Sequence, residues 1–233
     1  MTLFEFEAQM QLIQMSQPGL SGCESSDGYQ ITGTFVLNHV ANDVPLYEEY
    51  LITIRIPSDF PTGFPMVWET SGLIPEGFDH VYPDKHLCLA ANCEIASLLD
   101  RAPSLLAFIE ELVTSYLYSA AYYGKYNVYP FGERQHGTLG LREAYAERYH
   151  TNSDDTLCFF LGYVSGVLPY RGHLPCPCRS GNRLRECHGD VILHDLQSPR
   201  YALFRNEASQ ILYDILDERR RKSGNKGAPK IRL

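Results

Sequence analysis

The stretch Gly77-Phe-Asp-His-Val-Tyr-Pro-Asp-Lys-His-Leu-Cys-Leu-Ala90 delivers one cysteine, Cys88, directly behind two histidines, His80 and His86, in a segment rich in turn formers. A cysteine is a weak nucleophile as a thiol and a strong one as a thiolate, so its neighbours decide its chemistry. His80, Lys85 and His86 each offer positive charge or a proton acceptor close by in sequence. Cys93, five residues on, fits neither the spacing of a redox pair nor that of a usual zinc half-site. A lone cysteine under a loop is most often a buried apolar residue. The case for a nucleophile therefore rests on what surrounds the loop.

Upstream, Tyr50-Leu-Ile-Thr-Ile-Arg-Ile56 alternates apolar and polar residues with the period of a half-buried strand. It runs into Pro57-Ser-Asp-Phe-Pro-Thr-Gly-Phe-Pro65 and a short strand, Met66-Val-Trp-Glu-Thr70. Downstream, Asp100 and Pro103 mark the start of a helix whose apolar face is Leu105, Leu106, Ile109, Leu112, Val113, Tyr116 and Leu117. This order of strand, proline turn, strand, cysteine loop and crossing helix resembles the ubiquitin-conjugating enzyme family over the first half of the chain. Phe60-Pro61 and Phe64-Pro65 stand at the family's proline turn, and Cys88-Leu89 at its acceptor cysteine. Two positions depart from the family pattern. His80 occupies the place of the asparagine that serves as an oxyanion donor, and Ser119-Ala-Ala-Tyr-Tyr-Gly124 lacks the family's acidic residue near the incoming lysine. Such departures, and the stretch Pro130-Phe-Gly-Glu-Arg-Gln-His-Gly137, look like the divergent prokaryotic members.

The resemblance implies an α+β fold, an antiparallel meander sheet with flanking helices. It implies that Cys88 takes the C-terminus of a ubiquitin-like protein from an activating enzyme as a thioester and passes it to an amine, with His80 stabilising the oxyanion. By analogy with relatives, such a chain belongs to a bacterial conjugation system, antiviral or other. Glu133 and His136 read equally well as an acid–base pair reaching the cysteine and as caps of the next helix, residues 139–149. The rival readings are a non-catalytic binding module of the same fold, and an adaptor in which a C-terminal metal module is the working part.

At 233 residues the chain is long enough for one sizeable domain and a smaller one. The expected division is 1–150 for the conjugating-like domain, 151–168 for a linker and apolar connecting segment, 169–222 for a metal module with its helix, and 223–233 for a flexible basic tail. The start lacks a basic leader and no apolar run approaches a membrane span, so a cytoplasmic protein with no membrane partner is expected. Seven cysteines, odd in number and clustered, argue for nucleophile and metal use over a disulfide framework. Charge is divided unevenly: residues 1–170 carry 7 Lys+Arg against 21 Asp+Glu, whereas residues 171–233 carry 13 against 7. The acidic first part argues against nucleic acid as its partner.

Residues 3–17 carry Phe4, Ala8, Leu12 and Met15 on one stripe and predict an amphipathic helix stopped by Gln17-Pro18-Gly19. Residues 29–40 and 46–56 predict two strands around Asn42-Asp-Val-Pro45, with Tyr50, Ile52, Ile54 and Ile56 facing a core. Trp68 is expected in that core, and Cys158, inside the apolar run Leu157-Cys-Phe-Phe-Leu-Gly-Tyr-Val164, in a core of its own. The tyrosines between 116 and 149 read as packing residues.

The most specific motif is Pro175-Cys-Pro-Cys-Arg-Ser-Gly-Asn-Arg-Leu-Arg-Glu-Cys-His-Gly189. Cys176, Cys178, Cys187 and His188 supply three thiolates and an imidazole, the ligand set of a structural Zn2+. It resembles the SEC-C motif at the tail of the bacterial secretion ATPase. A filled set of four leaves no open position for catalysis. After it, Ser198-Pro199 opens a helix with Leu203, Phe204, Ala208, Ile211, Leu212, Ile215 and Leu216 on one side, ending in the basic run Arg219-Arg-Arg-Lys222.

Overall fold

Four strands, β1 (Leu20–Ser25), β2 (Gly28–Ala41), β3 (Val44–Pro57) and β4 (Met66–Glu69), pair antiparallel in the order β1-β2-β3-β4. They belong to an α+β protein seen in a computed structural model that describes residues 1–132 and 137–222. The β2–β3 hairpin closes through Asn42 and Asp43, both at positive φ, 49° and 60°. That two-residue turn matches the twist of the flanking strands and locks the register Ala41↔Val44 through Ile31↔Ile54 to Gly28↔Pro57. The alternation then follows as expected: Tyr50, Ile52, Ile54 and Ile56 are buried while Leu51 is exposed. Val67 of β4, opposite Ile54, joins the same core.

Trp68 goes the other way. Its neighbour Val67 takes the core position, so Trp68 lies half-buried on the outer face, with the Arg55 guanidinium 4.7 Å over its ring and its indole N–H donating to the Asp84 carbonyl at 3.2 Å. The period of two permits only one of two adjacent residues to face inward, and the smaller β-branched one fits against Ile54.

Helix α1 (Leu3–Ser16) opens with a capping box: the Thr2 hydroxyl accepts from the Glu5 amide and the Glu5 carboxylate accepts from the Thr2 amide at 2.7 Å. The face it buries is Phe6, Met10 and Ile13, and the expected stripe is the exposed one, with Phe4 at 80% and Met15 at 84%. Both stripes are apolar at helical spacing, so periodicity alone does not choose. The choice is made by the Phe6 ring, stacked on Tyr29 at 4.3 Å, and by Gly22, where any Cβ would meet Phe6 at 2.6 Å.

After the cysteine loop comes α2 (Asn92–Arg101), an additional helix ahead of the expected one. The long helical run then begins behind the Ser104 cap as α3 (Leu105–Ala107), passes through a π-helical turn, Phe108–Val113, and continues as α4 (Thr114–Tyr126). The wider turn shifts the apolar face, so that Phe108, Tyr118 and Ala120 join Leu105, Ile109, Val113, Tyr116 and Leu117 against the sheet. Asn127, at φ 54°, ends the run.

The chain divides into two units, Met1–Arg134 and Gln135–Leu233. The boundary therefore falls before helix α5 (Thr138–Arg148), which the sequence pattern grouped with the first domain. Tyr145 of α5 and Tyr149 behind it are fully buried in the second unit, and α5 packs on α8 (Tyr201–Lys222). Residues 151–168 are likewise no connecting segment. They form α6 (Asp154–Val164), capped by Ser153, with Phe160, Leu161 and Val164 fully buried and Cys158 half-buried. A short helix, α7 (Gly189–Gln197), completes the unit. No helix among the described residues is long and apolar enough to cross a membrane.

The face assignments of β3 are testable side by side. Ile54→Ala, at a fully buried site, is expected to cost about 2–5 kcal/mol, and Leu51→Ala, on the outer face, no more than about 0.5 kcal/mol in chemical denaturation of the full chain.

Candidate functional site

The loop that carries Cys88 is folded onto the edge of β4. At its start the Glu69 carboxylate accepts the amides of Ser71, Gly72 and Leu73, at 2.6, 3.0 and 3.1 Å, and turns the chain out of the strand. Phe78, buried, then anchors it among Tyr116, Tyr123 and Tyr129, with ring centroids 5.4, 5.7 and 5.5 Å away. Next comes a small hairpin in which Val81 pairs with Leu87 and Lys85 takes the tight position at φ 72°. Leu87 is buried and donates its amide to the Val67 carbonyl at 2.7 Å, so the hairpin covers an edge that β4 would otherwise leave open.

Cys88 follows at once. Its amide donates to the His80 carbonyl at 2.9 Å, and the Tyr116 hydroxyl donates to the same carbonyl at 2.8 Å. One oxygen thus ties the cysteine, the histidine and the helical run together. Burial, and next the negative charge of a Cys88 thiolate, push the Tyr116 phenol far up, so it remains a donor across the physiological range. The His80 ring stands between Phe78 and Tyr129, at 5.4 and 5.8 Å. Cys88 itself is half-buried, whereas Cys93, in the first turn of α2, is 1% exposed.

His86 has a different setting from the one its sequence position suggests. Its Nδ1 lies 2.6 Å from the Asp84 carboxylate, its ring stacks on Tyr82 at 4.1 Å, and Trp68 flanks it at 6.0 Å. The hydrogen bond with His86 holds the Asp84 carboxyl below the usual range. Of the three basic neighbours in sequence, His80 is the one bonded through its backbone to Cys88. Glu133 and His136 lie outside the described residues. The apolar spacing predicts packing alone for Tyr116, and its hydroxyl, at the edge of that stripe, is the sequence sign of its second role.

In the second unit, Cys176, Cys178, Cys187 and His188 each bring one ligand atom within 4.8 Å of all the others, a set that can hold a metal ion. The local chain explains the convergence. Pro175 pairs with Arg183, and the Cys176 amide donates to the Asn182 carbonyl at 2.8 Å, closing a knuckle. Arg179 and Gly181 turn inside it at φ 63° and 84°. A single 3-10 turn, Leu184–Glu186, then returns Cys187 to the first two cysteines, and His188 caps α7. His188 Nδ1 lies 3.2 Å from Cys176 Sγ and 3.1 Å from Cys187 Sγ, and the sulfurs of Cys178 and Cys187 are 3.5 Å apart.

Burial pushes the Cys176 thiol up to about 12. It acts in the same direction on Cys178, but hydrogen bonds from Ser180 and the flanking thiols outweigh it and hold that thiol at about 7. Searches of family models, curated proteins and solved structures find no match to this chain.

An order of reactivity follows for the metal-free protein. A thiolate alkylates and a thiol does not, so above neutral pH Cys178 is ionised and Cys176 stays protonated until far higher. Iodoacetamide labelling with peptide mass mapping is expected to modify Cys178 first and Cys176 last of the two.

Proposed function

We propose that the first unit is a ubiquitin-conjugating-like acyl carrier, with Cys88 as the thiol that is loaded. One observation carries this reading. The residue at the family's oxyanion position, His80, is hydrogen-bonded backbone to backbone to the cysteine eight residues on, and that cysteine is partly accessible while Cys93 is buried. The meander order of the sheet and the helical run packed on it support the same reading.

The chemistry needs no redox partner. The Cys88 thiolate attacks the thioester carbonyl carbon of a ubiquitin-like protein held by an activating enzyme. A new C–S bond forms, the old one breaks, and the activating enzyme's thiolate leaves. A target amine then attacks the Cys88 thioester and gives up a proton; a C–N bond forms and the Cys88 thiolate departs. Each attack builds negative charge on the carbonyl oxygen. The His80 ring N–H is the donor assigned to it, in a loop that the Tyr116 and Cys88 hydrogen bonds hold rigid.

The metal we assign to the second unit is zinc, in a structural role. Three sulfurs and one imidazole nitrogen are the donors zinc favours, and a Zn–S bond of about 2.3 Å sets sulfur atoms about 3.8 Å apart in a tetrahedron. The sulfurs of Cys178 and Cys187, at 3.5 Å, already stand near that separation. Zinc would supply folding free energy to this short knuckle, with all four positions taken by the protein.

Mixing the chain with an activating enzyme, ATP and the ubiquitin-like protein is expected to give a thiol-sensitive adduct that Cys88→Ala lacks and Cys93→Ala keeps. An adduct that persists in Cys88→Ala overturns the assignment. Discharge of pre-loaded protein onto an amine tests His80. His80→Ala should load normally and discharge roughly a hundredfold more slowly, since one oxyanion donor contributes on the order of 3 kcal/mol. For the second unit, elemental analysis should find about one zinc per chain, sharply reduced in Cys187→Ser along with the thermal stability of the unit. Freshly reduced wild-type protein free of zinc refutes that reading.

A further inference from the structure

The small hairpin that ends at Cys88 has an inner and an outer face. Its turn is Pro83-Asp84-Lys85, closed by two backbone hydrogen bonds: the Lys85 amide donates to the Tyr82 carbonyl and the Tyr82 amide to the His86 carbonyl, both at 2.9 Å. Beyond the turn Val81 pairs with Leu87. Leu87 is buried, and Val81 and Leu89 pack on the same core. Successive side chains of an extended arm point to opposite faces, so His86 and Cys88, on either side of Leu87, share the outer one. Two contacts fix that face independently. The His86 ring stacks on Tyr82 across the hairpin at 4.1 Å, and His86 pairs with Trp68, which lies on the outer face of β4. Two strand residues span roughly 7 Å, which is the spacing of His86 and Cys88 along the arm.

On that face His86 is set up to accept a proton. Its Nδ1 lies 2.6 Å from Asp84 Oδ1, in the turn two residues earlier. The bond holds the Asp84 carboxyl below the usual range, so the group is a carboxylate at neutral pH. A carboxylate on Nδ1 keeps the proton of the neutral ring there and leaves the lone pair on Nε2. Among the described residues Nε2 has no hydrogen-bond partner. Tyr82 and Trp68 flank the ring, yet 23% of the side chain is exposed, enough for an amine to reach it.

We propose that His86 is the general base of the discharge step, with Asp84 as its positioning residue. The proposal rests on the acyl-carrier reading of Cys88. An amine entering between the two side chains attacks the thioester carbonyl carbon. As the C–N bond forms, the amine proton passes to His86 Nε2, the C–S bond breaks and the Cys88 thiolate leaves. The imidazolium, its charge offset by Asp84, then returns the proton to water. His80 and His86 have opposite duties: the first donates to the oxyanion, and the second accepts from the amine.

The experiment is single-turnover discharge of the full chain, acylated at Cys88 by exchange with a synthetic acetylglycine thioester, so that no activating enzyme is needed. Loss of the acyl group is followed on the Cys88 peptide after acid quenching. Two nucleophiles are compared: lysine, whose amine must be relieved of a proton, and hydroxylamine, a free base at neutral pH that attacks thioesters without such help. His86→Gln is expected to slow discharge onto lysine about a hundredfold, within the range a general base contributes, and to leave discharge onto hydroxylamine unchanged. Asp84→Asn should slow the lysine reaction alone and add nothing in the His86→Gln background. His80→Ala is the contrast, since an oxyanion forms with either nucleophile, and should slow both. If His86→Gln discharges onto lysine at the wild-type rate, or slows lysine and hydroxylamine alike, the proposal is overturned: the ring then stands outside the reaction or only supports the loop. An Asp84→Asn effect as large without His86 as with it overturns the positioning role. Wild-type protein that takes the synthetic acyl group but gives no adduct with an activating enzyme and a ubiquitin-like protein overturns the acyl-carrier reading instead.

Discussion

The register of the β2–β3 hairpin is the constraint from which the first unit follows. Side chains alternate with a period of two, so a slip of one residue would turn Ile52, Ile54 and Ile56 to solvent and Leu51 and Arg55 inward. The Asn42-Asp43 turn forbids that slip. Once it is forbidden, the rest is set in sequence: Val67 pairs with Ile54, the Leu87 amide reaches the Val67 carbonyl, and the Cys88 amide reaches the His80 carbonyl. The half-buried cysteine thus owes its position in part to a turn more than forty residues earlier, relayed by backbone pairing, while Phe78 and the Tyr116 hydroxyl hold its loop.

The metal set depends on different physics. Its four Cys and His residues fall within thirteen positions, and a knuckle of short-range backbone hydrogen bonds with Arg179 and Gly181 at positive φ gathers them. The cost of bringing together several thiolates is large without a cation, because like charges at such separations repel strongly in a partly buried site. In the metal-free protein burial holds the Cys176 thiol up, while hydrogen bonds outweigh burial at Cys178 and hold that thiol down. One unit is held by long-range pairing and a broad apolar core; the other, among its described residues, by the packing of α5, α6, α7 and α8 and a Cys/His cluster that can hold a metal ion.

How much was legible in the sequence divides along the same line. The hairpin, the long helix behind the loop and the Cys/His cluster that can hold a metal ion were readable, because each is carried by a local period or spacing. The buried face of α1 was not, since Phe4-Ala8-Leu12-Met15 and Phe6-Met10-Ile13 are both apolar and only the sheet beneath discriminates between them. Trp68 was expected in the core, whereas strand parity gave that position to Val67. The helices at Asn92–Arg101 and Gly189–Gln197 carried too few apolar repeats between a cysteine or a histidine and a proline to stand out. Least legible of all was the contact between Tyr149 and Asp195: residues 46 positions apart are joined only by the packing of two helices.

The exposed stripe of α1 has a consequence for the protein in bulk. Phe4, Leu12 and Met15 are exposed along the helix, which also carries Glu5 and Glu7 on its exposed side and no Lys or Arg. What keeps such stripes from meeting is mutual repulsion between copies that each carry a formal charge of −8 at neutral pH. Acidification toward the isoelectric point near 5.5 removes that repulsion while leaving the stripe as sticky as before. The colloidal stability of the chain is accordingly tied to the charge of its carboxylates.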